Sequence, residues 1–131
     1  GFKIKIGEHY LTGRFDRVDK LPDGTIEIID YKTGRGQEKA QGEEKEQLTL
    51  YQIAAGKLPT YTNFGSVSKL TLYYVKDDLK TSFLAKEKDL IRVENKIIKI
   101  IDKIKTGNFT ATPEKHTCQN CQFRDVCEYR E

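Results

Sequence analysis

Hydrophobic and polar residues alternate along the first third of the chain, which is the pattern of β-strands with one buried face. The segment 1–6 alternates strictly, and 9–18 forms a second extended run. A turn signal at 22–24, Pro-Asp-Gly, precedes a third run over 25–32. We therefore predict a meander of antiparallel strands at the start of the chain.

The remaining pattern predicts helices mixed with strands. In chain order it predicts a helix over 47–55 capped by Gly56, a strand over 67–76, a short partner strand over 81–85, and an amphipathic helix over 88–105 that ends at Gly107. Residues 110–131 have too few apolar side chains for a core of their own. This order of elements is typical of one mixed α/β domain.

Composition narrows the classes of protein that the chain can represent. The 131 residues include 23 basic and 20 acidic side chains, a formal net charge of +3, which permits a polyanionic partner without deciding the question. The longest apolar stretch, 97–101, contains a lysine and is far short of the roughly 20 residues that span a bilayer. We expect no membrane span, no signal peptide and a cytoplasmic protein.

Two carboxylates and a lysine are predicted to converge on the early strands. Asp30 and Lys32 are two residues apart in a strand and therefore project from the same face. A hairpin through 22–24 would bring Asp16 level with Asp30. Carboxylates suit hard cations such as Mg²⁺, and a nearby lysine can hold an attacking water and offset phosphate charge. The alternative is a surface ion pair, which is common and contributes little.

Three sequence blocks around these residues resemble a known family. They are G-x-x-D-R-x-D at 13–19, I-D-Y-K-T-G at 29–34 and Q-L-x-x-Y at 47–51. The chain resembles the RecB-type branch of the PD-(D/E)XK nucleases, which includes nuclease domains of bacterial helicase-nucleases and the CRISPR-associated four-cysteine nucleases. The resemblance implies an α/β, restriction-endonuclease-like mixed sheet flanked by helices over residues 1–110, followed by a cysteine-containing tail over 111–131.

The resemblance also implies an activity and a set of site residues. Asp16, Asp30 and the main-chain carbonyl of Tyr31 would bind Mg²⁺ or Mn²⁺, and Lys32 would be the catalytic lysine. The expected function is a metal-dependent DNA nuclease, in particular an exonuclease, of DNA repair, recombination or a CRISPR-related system. DNA and a helicase domain or subunit are the expected partners.

Three further residues are expected at the DNA-facing rim of that site. Gln47 and Tyr51 are four apart on the predicted helix and share a face, and the resemblance places them against the active site and DNA. A packed tyrosine on a polar helix rim is the alternative for Tyr51. Arg17 would contact a phosphate or support the site, whereas a surface ion pair is the preferred interpretation of Asp19.

All three cysteines of the chain lie in the tail. Cys118, Cys121 and Cys127 are clustered and odd in number, which argues for a metal rather than a disulfide framework. The resemblance implies a [4Fe-4S] cluster in the full-length protein, with a fourth cysteine from upstream that this chain lacks. Zinc with His116 as fourth ligand is one alternative, and reduced free thiols are another.

The start of the chain departs from the family pattern. Related proteins usually begin with helices that carry a histidine and the first cysteine, whereas this sequence opens in what we predict to be the first strand. We therefore expect an N-terminally truncated fragment. Two rival functions remain at this point: a catalytically inactive DNA-binding module of a helicase-nuclease complex, and a zinc-stapled interaction domain.

Overall fold

The first two strands form a hairpin separate from the main sheet. In the computed structural model, which describes residues 1–131, β1 (Phe2–Ile6) pairs antiparallel with β2 (His9–Gly13). The strict alternation of β1 buries Phe2, Ile4 and Ile6 and leaves the lysines between them exposed. The first strand is thus confirmed with its predicted periodicity.

The second predicted run, 9–18, is broken into two strands that belong to different sheets. β2 ends at Gly13, and β3 (Arg17–Lys20) begins the main sheet. The break follows from Phe15, which is buried between the rings of Phe2 and Tyr51, at centroid distances of 4.8 and 5.2 Å. A side chain at position 13 would overlap the Phe2 ring. The prediction of a single extended run over 9–18 was therefore wrong, whereas the antiparallel pairing of successive strands is confirmed for β1-β2 and β3-β4.

The main sheet has four strands in the order β3-β4-β5-β6. It is completed by β4 (Ile26–Lys32), β5 (Val67–Tyr74) and β6 (Leu79–Phe83). The β3-β4 and β5-β6 pairs are antiparallel, whereas β4 and β5 are parallel. A parallel pair requires a crossover connection, and the helical segment between β4 and β5 supplies it. The predicted mixed sheet flanked by helices is confirmed.

The crossover contains two helices, α1 (Gly42–Lys57) and α2 (Pro59–Phe64). α1 continues through Gly56, so the predicted glycine cap was wrong. The helix ends instead at Lys57, because Leu58 precedes Pro59 and a residue before proline avoids the helical conformation. Pro59 then begins α2, a helix that the sequence pattern did not predict.

One hydrophobic core joins the two sheets and α1. Leu48, Tyr51 and Ala54 of α1 are buried against the faces that Ile28 and Leu72 present. The central strands β4 and β5 are covered most completely, as expected for a parallel pair. This packing holds α1 at the carboxyl end of β4, where Asp30 and Lys32 lie.

The long amphipathic helix α3 (Glu87–Lys105) follows β6 and confirms the prediction over 88–105. Its ion pairs reach α1: Glu46 accepts from Arg92 at 3.0 Å and from Lys96 at 2.5 Å. The helix ends before Gly107, whose φ of +70° is the left-handed conformation that favours glycine. None of the helices is long and apolar enough to cross a membrane.

The chain divides into two compact units, residues 1–101 and residues 102–131. The second unit holds the end of α3 and the short helix α4 (Lys115–Gln119), followed by turns. Cys118 lies on α4 and is buried.

Candidate active site

The β3-β4 hairpin brings two carboxylates together. Arg17 pairs with Ile29, so Asp16, one residue before β3, comes level with Asp30. The main-chain N–H of Tyr31 donates a hydrogen bond to Asp16 Oδ2 at 3.0 Å. The predicted hairpin through 22–24 therefore places Asp16 beside Asp30, as expected.

Asp30 and Lys32 project from the same face of β4 and form an ion pair. Lys32 Nζ lies 2.8 Å from Asp30 Oδ2, and the side chains are only 19% and 4% exposed. The buried oxygen Asp30 Oδ2 has the Lys32 ammonium beside it and no other polar partner. A buried carboxylate oxygen usually accepts more than one polar contact, so this oxygen can take a further partner. This pair is far less exposed than an ordinary surface ion pair.

The electrostatics of Asp30 reflect a crowded acidic site. Burial raises the pKa of the Asp30 carboxyl, because desolvation penalises its charged form. The Lys32 ammonium opposes this rise, whereas the negative charges of Asp16 and Glu44 add to the rise in pKa. A cation placed between the carboxylates would relieve both the desolvation and the repulsion.

A hydrogen-bonded chain links Lys32 to α1. Lys32 Nζ donates to Gln47 Oε1 at 2.6 Å, and Gln47 Nε2 donates to the Tyr51 hydroxyl at 3.1 Å. Gln47 and Tyr51 lie one turn apart on α1, as their spacing predicted. Burial and the nearby charges of Asp30 and Asp16 raise the pKa of Tyr51. The structure thus brings the predicted catalytic residues Asp16, Asp30 and Lys32 and two of the three predicted rim residues to one place.

Glu44 and Tyr74 also lie at this site, although neither was predicted from the sequence. The Tyr74 hydroxyl donates to Glu44 Oε2 at 2.6 Å, and Tyr74 pairs in register with Lys32. Burial together with this bond to a carboxylate raises the pKa of Tyr74 to about 12. Helical spacing could have revealed Glu44, because it lies three residues before Gln47 and seven before Tyr51 on one helix face.

A sequence model of the PD-(D/E)XK nuclease superfamily matches residues 1–128. The chain belongs to the PD-(D/E)XK nuclease superfamily. Membership implies nuclease activity on DNA, and these nucleases typically use divalent metal ions such as Mg²⁺. No curated protein matches the chain.

The acidic corner of this PD-(D/E)XK domain fits a hard divalent cation. Its donors are carboxylate oxygens, which Mg²⁺ and Mn²⁺ prefer, and Asp30 Oδ2 has only the Lys32 ammonium as a polar neighbour. No group of three or more His, Cys, Asp or Glu side chains is close enough to hold a metal ion. A site with only two carboxylate side chains, completed by a main-chain carbonyl and waters, does not require a third such side chain.

Arg17, the third predicted rim residue, lies on the other face of the nuclease sheet. Its Nε is 2.7 Å from Asp19 Oδ1, and a terminal nitrogen donates to the Tyr31 hydroxyl at 3.3 Å. The Tyr31 side chain alternates with those of Asp30 and Lys32 and therefore projects away from the carboxylates. The structure does not bring Arg17 together with the predicted catalytic residues, and Asp19 forms the surface ion pair that was preferred for it.

The connection between β4 and α1 in this PD-(D/E)XK domain is held by hydrogen bonds to the β5-β6 hairpin. The main-chain N–H of Gly36 donates to Asp77 Oδ2 at 2.6 Å, and the Thr81 hydroxyl donates to the Gln37 carbonyl. The approach is close, since a Cβ at position 36 would lie 2.8 Å from Leu79 Cδ2. This connection joins Lys32 at one end to the helix of Gln47 at the other, so its anchoring supports their contact.

The three cysteines belong to the second compact unit, residues 102–131. Cys118 is buried, Cys121 exposed and Cys127 half-buried, and all three are free thiols. The structure does not assemble them with His116 into a metal-binding group. The predicted tail metal therefore rests on the spacing of the motif and on the resemblance.

Proposed function

We propose that this domain is a metal-dependent deoxyribonuclease that hydrolyses phosphodiester bonds. The observation that supports the proposal is the convergence of Asp16, Asp30, Lys32 and Gln47 at the carboxyl end of β4. An ordinary surface ion pair would have neither a buried carboxylate nor a lysine that also donates to a helix residue. A catalytic role explains why Asp30 is buried and why Lys32 is held by Gln47.

The proposed metal ligands are Asp16, Asp30 and the main-chain carbonyl of Tyr31. A bound Mg²⁺ or Mn²⁺ would polarise the scissile phosphate and lower the pKa of a coordinated water. The N–H of Tyr31 orients Asp16, and the short turn at 22–24 keeps the two carboxylates level. Their positions are thus set by the backbone rather than by flexible side chains.

Lys32 is the proposed catalytic residue. Its ammonium can hold the attacking water and offset negative charge that develops on the phosphate. Gln47 fixes the ammonium from the helix side, and Tyr51 in turn fixes the Gln47 amide. Such preorganisation matters because donors that are already in place need no rearrangement during the reaction.

Finer features of the proposal follow from the resemblance of the three sequence blocks. We propose a RecB-type exonuclease of DNA repair, recombination or a CRISPR-related system, working with a helicase domain or subunit. We further propose that Cys118, Cys121 and Cys127 contribute to a [4Fe-4S] cluster, with a zinc site that includes His116 as the alternative. The alternative function, an inactive DNA-binding module, is disfavoured by the intact Asp16, Asp30 and Lys32.

The decisive test is DNA cleavage by the purified chain. Linear and circular substrates, single- and double-stranded, are incubated with Mn²⁺, Mg²⁺ or EDTA, and Lys32→Ala is compared with the unmodified chain. Lys88→Ala, which removes an exposed lysine of α3, is the matched control. We expect cleavage only with metal, loss of cleavage in Lys32→Ala, and unchanged cleavage in Lys88→Ala. Cleavage that persists in EDTA or in Lys32→Ala would refute the proposal.

A further inference from the structure

The β1-β2 hairpin presents a polar outer face that the core does not use. Lys3 and Lys5 project from the side of β1 opposite to its buried residues. They pair in register with Thr12 and Tyr10 of β2, and all four side chains are exposed. We call this surface, together with Arg14, the hairpin face.

The hairpin face carries more positive than negative charge. Lys3, Lys5 and Arg14 are basic, and Glu8 is the single acidic residue between positions 1 and 15. Glu8 lies 3.8 Å from Lys5, but the two side chains are 90% and 58% exposed, so the pair is weak. The excess of positive charge complements a phosphate backbone.

The face of the main sheet that carries Arg17 and Glu27 has a smaller excess of positive charge. Two of its three cations are balanced locally, since Lys69 lies 3.3 Å from Glu27 and Arg17 lies 2.7 Å from Asp19, whereas Lys80 lies over the Tyr73 ring. That surface therefore offers little unbalanced positive charge to a polyanion. The hairpin face is the better candidate for a nucleic-acid contact.

Tyr10 adds an aromatic platform to the hairpin face. Its side chain is 66% exposed, and Lys3 Nζ lies 4.7 Å from its ring centroid. An exposed ring flanked by cations is the combination that binds single-stranded nucleic acid, because every base can stack and every phosphate attracts a lysine. The bases of a duplex are already stacked and would gain much less from this ring.

The hairpin face leads directly to the catalytic corner. Arg14 precedes Asp16 by two residues, and Tyr10 precedes it by six, about 20 Å of extended chain. The end of the hairpin formed by Phe2 and Gly13 lies beside the site, because the ring centroid of Phe2 is 6.0 Å from that of Tyr51. Contacts along the hairpin face would hold the substrate on one side of the scissile bond.

We propose that the hairpin face binds a single-stranded DNA segment adjacent to the cleavage site. A base stacks on Tyr10, and Lys3, Lys5 and Arg14 contact successive phosphates. The inference rests on the proposed nuclease function and specifies its substrate: the site takes DNA that is single-stranded on the hairpin side of the bond.

Fluorescence anisotropy in EDTA tests this inference without cleavage. The probes are a labelled oligothymidylate and a labelled duplex of equal length. The variants are Tyr10→Thr and the double change Lys3→Gln with Lys5→Gln. The matched control, Lys86→Gln with Lys88→Gln, removes two exposed lysines at the same spacing at the start of α3. Thermal unfolding of each variant verifies that the fold is retained.

We expect Tyr10→Thr to weaken oligothymidylate binding roughly tenfold, within the range measured for base stacking, and to leave duplex binding unchanged. The double lysine variant should reduce the slope of log K against log salt by about 1.4, or about 0.7 for each lost phosphate contact. The control variant should keep the original affinity and slope.

The outcomes separate this inference from the nuclease proposal. Equal affinity of all variants for oligothymidylate, or no binding by the unmodified chain, would overturn the hairpin assignment even if the chain cleaves DNA. Loss of binding in the hairpin variants would support it, even in a chain that shows no cleavage with Mn²⁺. In that last case the nuclease proposal alone would fail.

Discussion

Lys32 Nζ and Gln47 Oε1 meet at 2.6 Å across the junction between the central strand β4 and the helix α1. The lysine also faces the buried carboxylate of Asp30 at 2.8 Å. A flexible four-carbon side chain is thereby held in one position by groups from two elements. Its ammonium is preorganised for the role that we propose.

The first prediction concerns this contact. Lys32→Ala should lower the cleavage rate by at least about a hundredfold, the usual cost of removing one charge-stabilising donor. Gln47→Ala should lower kcat by about 10 to 100 times, as for outer residues that orient groups in metal sites. Tyr51→Phe leaves the lysine contact in place and should have the smallest effect. Steady-state cleavage kinetics check this order, and equal rates in Gln47→Ala and the unmodified chain would contradict it.

The second prediction concerns metal binding by the carboxylates. Mn²⁺ at ten times its Kd should stabilise the unmodified chain by about 1.4 kcal/mol, because the metal binds only the folded state. Asp30→Asn should abolish that stabilisation, since an amide is a poorer ligand for a hard cation. Thermal unfolding with and without Mn²⁺ measures the difference. Glu38→Gln, on an exposed part of the β4-α1 connection, is the control and should retain the full metal effect.

The third prediction concerns the anchoring of the β4-α1 connection. Asp77→Ala removes the acceptor of the Gly36 N–H and should lower kcat several-fold, because the connection positions Lys32 and Gln47. Asp77→Asn keeps an oxygen acceptor and should restore most of the rate. If both variants cleave at the unmodified rate, the anchor has no part in positioning the site.

The fourth prediction concerns the ion pairs between α1 and α3. Hydrogen bonds from Lys96 and Arg92 lower the pKa of Glu46. Their contribution is therefore present above the ordinary pKa of glutamate and is lost as pH falls through the lowered value. Glu46→Gln should reduce the free energy of unfolding by about 0.5 to 1 kcal/mol at pH 7, and the difference should shrink on acidification. Denaturant unfolding over a pH series measures it. A difference that grows at acidic pH would have the wrong sign.

The fifth prediction concerns the cysteine tail. Protein purified without oxygen should contain iron and acid-labile sulfide if the cluster forms, and Cys118→Ser should lose both. Zinc in place of iron, lost in His116→Ala, would identify the alternative site. Protein with neither metal would leave the thiols free and refute both assignments.

Much of the catalytic corner could be predicted from the sequence because local rules determine it. The turn at 22–24 sets the β3-β4 register, and that register brings Asp16 to Asp30. Strand alternation then pairs Asp30 with Lys32, and helical spacing pairs Gln47 with Tyr51. Each relation depends on residues that are close in the chain.

The features that the sequence analysis missed depend on tertiary contacts. The break between β2 and β3 arises because Phe15 is buried against Phe2, Tyr51 and Tyr61, rings that come from three other elements. The end of α1 is set by Pro59 rather than by the glycine that periodicity favoured. Strand and helix periodicity carry no information on which distant side chains will meet.

The parallel pairing of β4 with β5 has a consequence for the order of folding. The two carboxylates sit on a hairpin with a short turn, which can form early because little chain entropy is lost in closing it. Lys32 becomes enclosed only when β5 docks beside β4 and sets Tyr74 opposite it, a contact between segments far apart in the chain. The two carboxylates would then be level before Lys32 is enclosed, and a growing chain would be able to capture a cation before its lysine is held in position.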